Sequence, residues 1–122
     1  MNKKRIDQYL PEAIALLREL KVADESGDIP KTFRGYISSF GAAVVMGSLR
    51  SAVAFNSVQN NADKERQKLM QIIYCLIKDP KDSSDVSLLQ YIIDQNNDDA
   101  IKEKIYDAAI AVKLAMNAYN LV

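Results

Sequence analysis

Histidine is absent from this sequence of 122 residues, and so is tryptophan. The missing histidine removes the most frequent general base and metal ligand of proteins. Cys75 is the only cysteine, so no internal disulfide is possible and the ligands of an ordinary zinc site are lacking. The composition therefore argues against an enzyme, and the sequence predicts no catalytic residue, no metal site and no cofactor.

An excess of charge of either sign is also missing. Sixteen basic residues balance sixteen acidic ones, so the net charge gives no reason to expect strong unaided binding to nucleic acid or to a membrane. The apolar run from Gly35 to Phe55 is interrupted by Arg50 and by several serines and glycines, which disfavours a membrane span. The single cysteine and the lack of an N-terminal secretion signal indicate a reducing compartment, so we expect a cytoplasmic protein.

Hydrophobic periodicity is helical nearly everywhere, and no segment alternates with period two. The most regular stripe steps by four and three from Ile101 to Tyr119. A chain of this length supports one core. The sequence thus predicts an all-α fold, a single-domain bundle of five to six helices over residues 1–122 with sequential helices packed as antiparallel neighbours.

Prolines and capping residues mark the predicted helix boundaries. Pro11 indicates a helix start or a short turn before the main first helix, and Pro30 suits the first turn of the next helix. Asp63 is a good N-cap for a helix that stops before Pro80. Either Ser84 or Asp85 could cap the short helix that follows and carries Val86.

The segment from Lys31 to Phe55 reads KTFRGYISSFGAAVVMGSLRSAVAF and mixes small residues with large apolar ones. Each glycine within a helix costs about 1 kcal/mol relative to alanine, so a compensating use is expected. Two explanations stay open. The small residues could allow close helix packing, with a break between two helices at Gly47 and Ser48, or they could form a smooth surface that another macromolecule approaches closely.

Charge is distributed unevenly along the chain. Residues 29–62 contain Lys31, Arg34 and Arg50 and no acidic residue, whereas residues 79–99 contain six aspartates and one lysine. The three cations are therefore candidates for contacts with phosphate groups. Tyr36 and Phe40 could stack on bases, but aromatic residues at helical spacing are more typical of a core.

The run GSLRSAVAF, preceded by YISSFGAAVVM, resembles the signature region of the small-subunit family of Cmr complexes, the type III-B CRISPR effectors. The family pattern is a Gly-Leu followed three residues later by Leu-Ala-Phe. Leu49, Val53, Ala54 and Phe55 match it well, whereas Ser48 stands in the place of the glycine and Gly47 lies one residue earlier. Chain length and helix order agree with the family over nearly the full chain.

This resemblance implies a non-catalytic subunit whose copies stack along the guide-RNA filament and help to bind target RNA in antiviral defence. The implied partners are the backbone and large Cmr subunits, neighbouring copies of itself, and the guide and target RNA. Lys64, Arg66 and Lys68 then join Lys31, Arg34 and Arg50 as candidate nucleic-acid-binding residues. A solvated helix face explains Lys64, Arg66 and Lys68 at least as well, because Asp63 and Glu65 beside them can form local ion pairs.

Two other function classes remain as alternatives. The chain could be a helical protein–protein adaptor with no direct nucleic-acid contact. It could also be a small enzyme that uses carboxylates and a metal, with Asp98, Asp99 and Glu103 as the closest group, although acids at a helix N-terminus ordinarily offset the helix dipole. In the Cmr interpretation, the acidic residues between 79 and 99 would meet a basic face of a neighbouring subunit.

Overall fold

The computed structural model describes residues 1–57, 64–79, 86–95 and 98–122. Within these ranges the chain forms six α-helices: α1 (Lys3–Glu19), α2 (Lys31–Met46), α3 (Leu49–Phe55), α4 (Lys64–Ile77), α5 (Leu88–Asp94) and α6 (Asp98–Ala115). A 3₁₀ turn (Met116–Ala118) follows α6, and two short strands, β1 (Asp28–Ile29) and β2 (Asn120–Leu121), pair with each other. The predicted all-α bundle is confirmed.

Helix α6 is the element around which the bundle is built, because it packs against α1, α2 and α4. Its predicted stripe is buried as far as Ala115, but Ala109 and Ala111 beside the stripe are buried too. These small side chains let helices approach α6 from several sides. Helix α1 makes its most extensive contacts with α6, so the predicted packing of sequential neighbours is wrong for α1.

Pro11 lies inside α1 and is exposed, so the predicted helix start or turn at this proline is wrong. A proline within a helix removes one backbone hydrogen bond and costs about 3 kcal/mol. Packing offsets this cost, because Ile6 before the proline and Ala13 and Leu17 after it are all buried on one side of the helix. The N-terminus is capped by the Asn2 side chain, which accepts the Arg5 N–H at 3.1 Å.

A buried carboxylate joins the start of α1 to α6. Asp107 is fully buried, and its Oδ2 accepts a hydrogen bond from Arg5 Nη1 at 2.9 Å. Its Oδ1 accepts the Asn2 backbone N–H at 3.2 Å. The same pair of charges acts on Tyr9. Burial raises the pKa of the Tyr9 phenol, and the positive charge of Arg5 opposes that rise. The two polar contacts compensate for the desolvation of Asp107 and fix α1 along α6.

The two strands form a parallel pair that the sequence did not predict. Asp28 pairs with Asn120, and Ile29 pairs with Leu121. The predicted helical stripe is wrong at Tyr119, which follows the 3₁₀ turn and has an extended backbone. Its hydroxyl donates a 2.6 Å hydrogen bond to the Ile14 carbonyl. Strands of two residues are too short to produce an alternating pattern, so only long-range packing could reveal them.

Helix α4 ends at Ile77, in agreement with the predicted stop before Pro80. Asp63, its predicted N-cap, lies outside the described residues, as does Pro80 itself. Cys75 is half-buried against the hydrophobic core.

Helix α5 begins at Leu88 with Ser87 as its N-cap, because the Ser87 Oγ accepts the Gln90 N–H at 3.1 Å. The predicted caps Ser84 and Asp85 lie outside the described residues, and the predicted placement of Val86 on this helix is wrong. Ser84, Asp85 and Ser87 are candidate caps that lie close together in the sequence. Ser87 is the cap because α5 begins at Leu88, whose side chain is buried.

Replacing Ser87 by alanine should lower the free energy of unfolding by about 1 kcal/mol, because the Gln90 N–H loses its acceptor. Urea denaturation of the full chain measures the change. The matched control is Ser87→Asp, which keeps an acceptor at the cap and should cost far less. Equal losses in the two variants would contradict a capping role for Ser87.

Candidate nucleic-acid interface

The segment that carries the resemblance forms two helices separated by a break. Helix α2 ends at Met46, Gly47 has an extended backbone, and Ser48 caps α3 by accepting the Ser51 N–H. The predicted break at Gly47 and Ser48 is confirmed. A Cβ added at Gly47 would lie 3.1 Å from the Ala43 carbonyl oxygen, so a side chain at this position fits poorly.

Two glycines of α2 do not serve close helix packing. The buried stripe of α2 consists of large side chains: Phe33, Ile37, Phe40 and Val44. A Cβ added at Gly35 or at Gly41 would have no neighbour within 4 Å in the part of the chain that the structure describes. The packing explanation is therefore wrong for these two glycines. On the outer side of α2, the exposed residues between Lys31 and Val45 are small: Thr32, Gly35, Ser39, Ala42 and Ala43.

Lys31 and Arg34 lie one turn apart at the beginning of this outer side. Lys31 is exposed, and Arg34 Nη1 donates a 3.2 Å hydrogen bond to Asn117 Oδ1 beyond the end of α6. Neither is paired with a carboxylate in the part of the chain that the structure describes. Both charges are thus available to an anion from solvent.

Arg50 is exposed in the first turn of α3, shortly after the C-terminal end of α2. Since α2 has 16 residues, its two ends are about 24 Å apart. Arg50 therefore does not form a compact cluster with Lys31 and Arg34. The three cations instead mark the two ends of an extended surface, which suits a polymer better than a small anion.

The three cations of α4 point in different directions. Lys64 is exposed at the first residue of the helix. Arg66 is half-buried, and its Cζ lies 4.6 Å from the centre of the Tyr36 ring and 5.3 Å from that of Phe55. Lys68 Nζ lies 3.4 Å from the Lys21 carbonyl oxygen, to which it donates a hydrogen bond. Of the three, only Arg66 is shown in contact with the α2–α3 segment.

The aromatic residues of the α2–α3 segment differ in their burial. Phe40 is 1% exposed and belongs to the core, as its helical spacing indicated. Tyr36 is half-buried beneath Arg66, whereas Phe55 is 65% exposed. Sequence reasoning did not propose Phe55 as a binding residue. The spacing of Leu49 and Val53 could have predicted its exposure. These two residues form the buried side of α3, so Phe55 is turned away from the core.

A groove of about 640 Å³ lies between α2, α3 and Arg66. Its apolar lining includes Met46, which is 87% exposed, together with Phe55. Ser39, Ser48 and Ser51 add hydroxyl groups, and among the described residues that line the groove none is acidic. The described lining therefore combines aromatic, hydroxyl and cationic groups. We call this groove the Arg66 groove.

A second, smaller groove of about 350 Å³ lies on the other flank of α2, against α6. Val45, Tyr106 and Ile110 line it, and Lys113 supplies its charge. Met46 contributes to both grooves. The outer side of α2 is thus bordered on each flank by a concave apolar surface with one cation.

The acidic stretch is only partly described, since Asp82 and Asp85 lie outside the described residues. Asp94 accepts a 3.0 Å hydrogen bond from Gln90 Nε2. In the described ranges, no three potential ligands from histidine, cysteine, aspartate or glutamate lie close enough to hold a metal ion. None of the helices in these ranges has both the length and the apolar character needed to cross a membrane.

Comparison of the chain with known protein families, curated proteins and solved structures gave no match. The resemblance to Cmr small subunits therefore depends on the residues of the α2–α3 segment themselves.

Proposed function

We propose that this chain is the non-catalytic small subunit of a type III-B CRISPR (Cmr) effector complex. It stacks along the guide-RNA filament with neighbouring copies, contacts the backbone and large subunits, and helps to bind target RNA in antiviral defence. The observation that carries the proposal is the outer side of α2. The residues that match the family lie on α3, directly after α2. On α2 itself, Gly35 and Gly41 face open space instead of a neighbouring helix of the described chain.

The physical basis is contact with phosphates without readout of bases. Lys31 and Arg34 offer charge at one end of a smooth surface, and Arg50 offers it at the other. Phosphate contacts position a protein on nucleic acid and carry no sequence information. In an RNA-guided complex, pairing with the guide supplies that information, so shape and charge suffice for the subunit.

The balanced charge of the chain fits this role. A neutral protein with a few phosphate contacts binds nucleic acid weakly and in a salt-sensitive way. Copies held side by side by a filament turn each further contact into an intramolecular event, which raises the overall affinity. The cytoplasm is the compartment expected for such a complex.

Reversing the charge of Lys31, Arg34 and Arg50 together with glutamate should leave the helical fold intact and weaken capture of target RNA by the assembled complex. Three lost phosphate contacts should reduce the slope of log affinity against log salt by about 2 for each copy. Filter binding of labelled target RNA at several salt concentrations measures this slope. Circular dichroism checks the fold.

The matched control reverses three exposed lysines elsewhere, Lys3, Lys4 and Lys21, with the same change in net charge. This control should leave the salt slope near that of the unmodified complex. The proposal would be contradicted if a complex that contains the Lys31/Arg34/Arg50 variant captured target RNA as well as the unmodified complex does.

A helical adaptor without nucleic-acid contact is the second candidate. The exposed Val45, Met46 and Phe55 favour it, because apolar side chains of this size at a surface are typical of protein interfaces. Under this alternative, the charge reversal matters only if it blocks co-assembly. Measuring incorporation and RNA capture on the same preparation separates the two functions.

A further inference from the structure

We infer that the Arg66 groove binds an unpaired RNA base, which stacks on the exposed face of the Phe55 ring while Arg66 holds the adjoining phosphate. The choice of RNA depends on the proposed function. The stacking site itself depends on the geometry of the groove.

The groove places a cation next to two aromatic rings. Arg66 lies 4.6 Å from the Tyr36 ring and 5.3 Å from the Phe55 ring, so both rings hold its guanidinium in place. Phe55 nevertheless remains 65% exposed, which leaves ring surface open beyond the part that Arg66 covers. A flat ring with a fixed cation beside it matches the two parts of a nucleotide, the base and its phosphate.

The remaining lining of the groove includes a thioether and hydroxyl groups. Met46 is 87% exposed in the same groove, so its flexible thioether is free to pack against an inserted ring. Ser48 and Ser51 provide hydroxyl groups for polar atoms of a nucleotide. The part of the lining that the structure describes contains no carboxylate. An anionic ligand with an apolar planar part is therefore complementary to the groove in both charge and shape.

The location of the groove also suits a bound strand. The groove lies beside the outer side of α2, and Tyr36, one of its lining residues, follows Lys31 and Arg34 in the first turns of that helix. A strand that runs along this side would pass the groove between the two ends marked by the cations. One base turned towards the protein could then enter the groove without moving the phosphates away from α2.

The test uses the isolated full chain with methyl-¹³C methionine and an oligoadenylate of about six nucleotides at low salt. The Met46 methyl signal should shift upfield through the ring current of the bound base. Met70 and Met116 are 4% and 0% exposed, so their signals should stay in place as internal controls. An abasic oligomer of the same length should leave the Met46 signal nearly unchanged.

Two variants sharpen the test. Phe55→Leu keeps an apolar side chain but removes the stacking face, and it should weaken oligoadenylate binding by about fivefold or more. Arg66→Lys keeps the charge but loses the planar cation, and it should weaken binding as well. Ile93→Ala is the matched control, because Ile93 is 51% exposed on α5 and does not line the groove. It should bind as the unmodified chain does.

Equal shifts and affinities for the oligoadenylate and the abasic oligomer would overturn the inference, since phosphate contact alone would then explain binding. Unchanged RNA binding by Phe55→Leu, together with loss of its co-purification with another subunit, would also overturn it and assign the groove to a protein. The titration needs no other subunit, so a failure of the Cmr assignment leaves its result readable. If no base stacks in the groove, the proposed phosphate contacts of Lys31 and Arg34 can still form.

Discussion

Replacement of Arg5 by alanine is expected to lower the free energy of unfolding by about 3–5 kcal/mol, because it leaves the carboxylate of Asp107 buried without its cation. Asp107 is 0% exposed, and Arg5 Nη1 lies 2.9 Å from its Oδ2. A domain of this size is stabilised by only about 5–15 kcal/mol, so the loss is a large part of the total. Urea denaturation followed by circular dichroism measures it.

Two controls show whether the buried charge is the cause. Lys4→Ala removes a cation from the same helical turn, but Lys4 is exposed and the change should stay within about 0.5 kcal/mol. Replacing Arg5 and Asp107 together by leucine should cost less than Arg5→Ala alone, because no unpaired charge remains. An Arg5→Ala variant as stable as Lys4→Ala would show that Asp107 is not held by this pair.

Replacement of Phe40 by alanine is expected to cost about 3–5 kcal/mol through lost burial and the cavity left in the core. Phe40 is 1% exposed, on the side of α2 that carries Phe33, Ile37 and Val44. Thermal and urea unfolding of the full chain measure the loss. Near-native stability of this variant would contradict the assignment of Phe40 to the core.

Phe55→Ala is the matched control, since it removes the same ring from the same segment. Phe55 is 65% exposed, so its loss should change the free energy of unfolding by about 0.5 kcal/mol or less. The two variants thus separate a phenylalanine that stabilises the fold from one that is available for binding. Similar losses in both would contradict this division.

Sequence patterns were sufficient where local chemistry decides the structure. The helices follow from period 3.6, and the break at Gly47 and Ser48 follows from glycine as a helix terminator and serine as a cap. The same reasoning was wrong at Pro11, because burial on both sides of the proline outweighs the lost backbone hydrogen bond.

Features that depend on contacts between distant residues could not be predicted in this way. The pairing of Asp28 with Asn120 and the contact of Arg5 with Asp107 join the two ends of the chain, and no local pattern encodes them. The predicted neighbour packing was wrong for α1 for the same reason.

The candidate site contains residues that the sequence could identify and others that depend on contacts between helices. Lys31 and Arg34 could be named from the charge pattern, and the structure leaves them without a carboxylate partner in the ranges it describes. The direction of Arg66 depends on Tyr36, which lies on another helix. Alternation of charge along α4 could not distinguish Arg66, which contacts α2 and α3, from Lys68, which contacts the Lys21 carbonyl.

The central claim is that the outer side of α2 faces RNA when partners hold the chain in line. Ultraviolet crosslinking of the native complex, purified through a tag on this chain and analysed by mass spectrometry, tests it most directly. We predict co-purifying guide RNA and crosslinked nucleotides on peptides from residues 31–57 and at Arg66. Crosslinks confined to α1 and α6, or a purified assembly without RNA, would contradict the account.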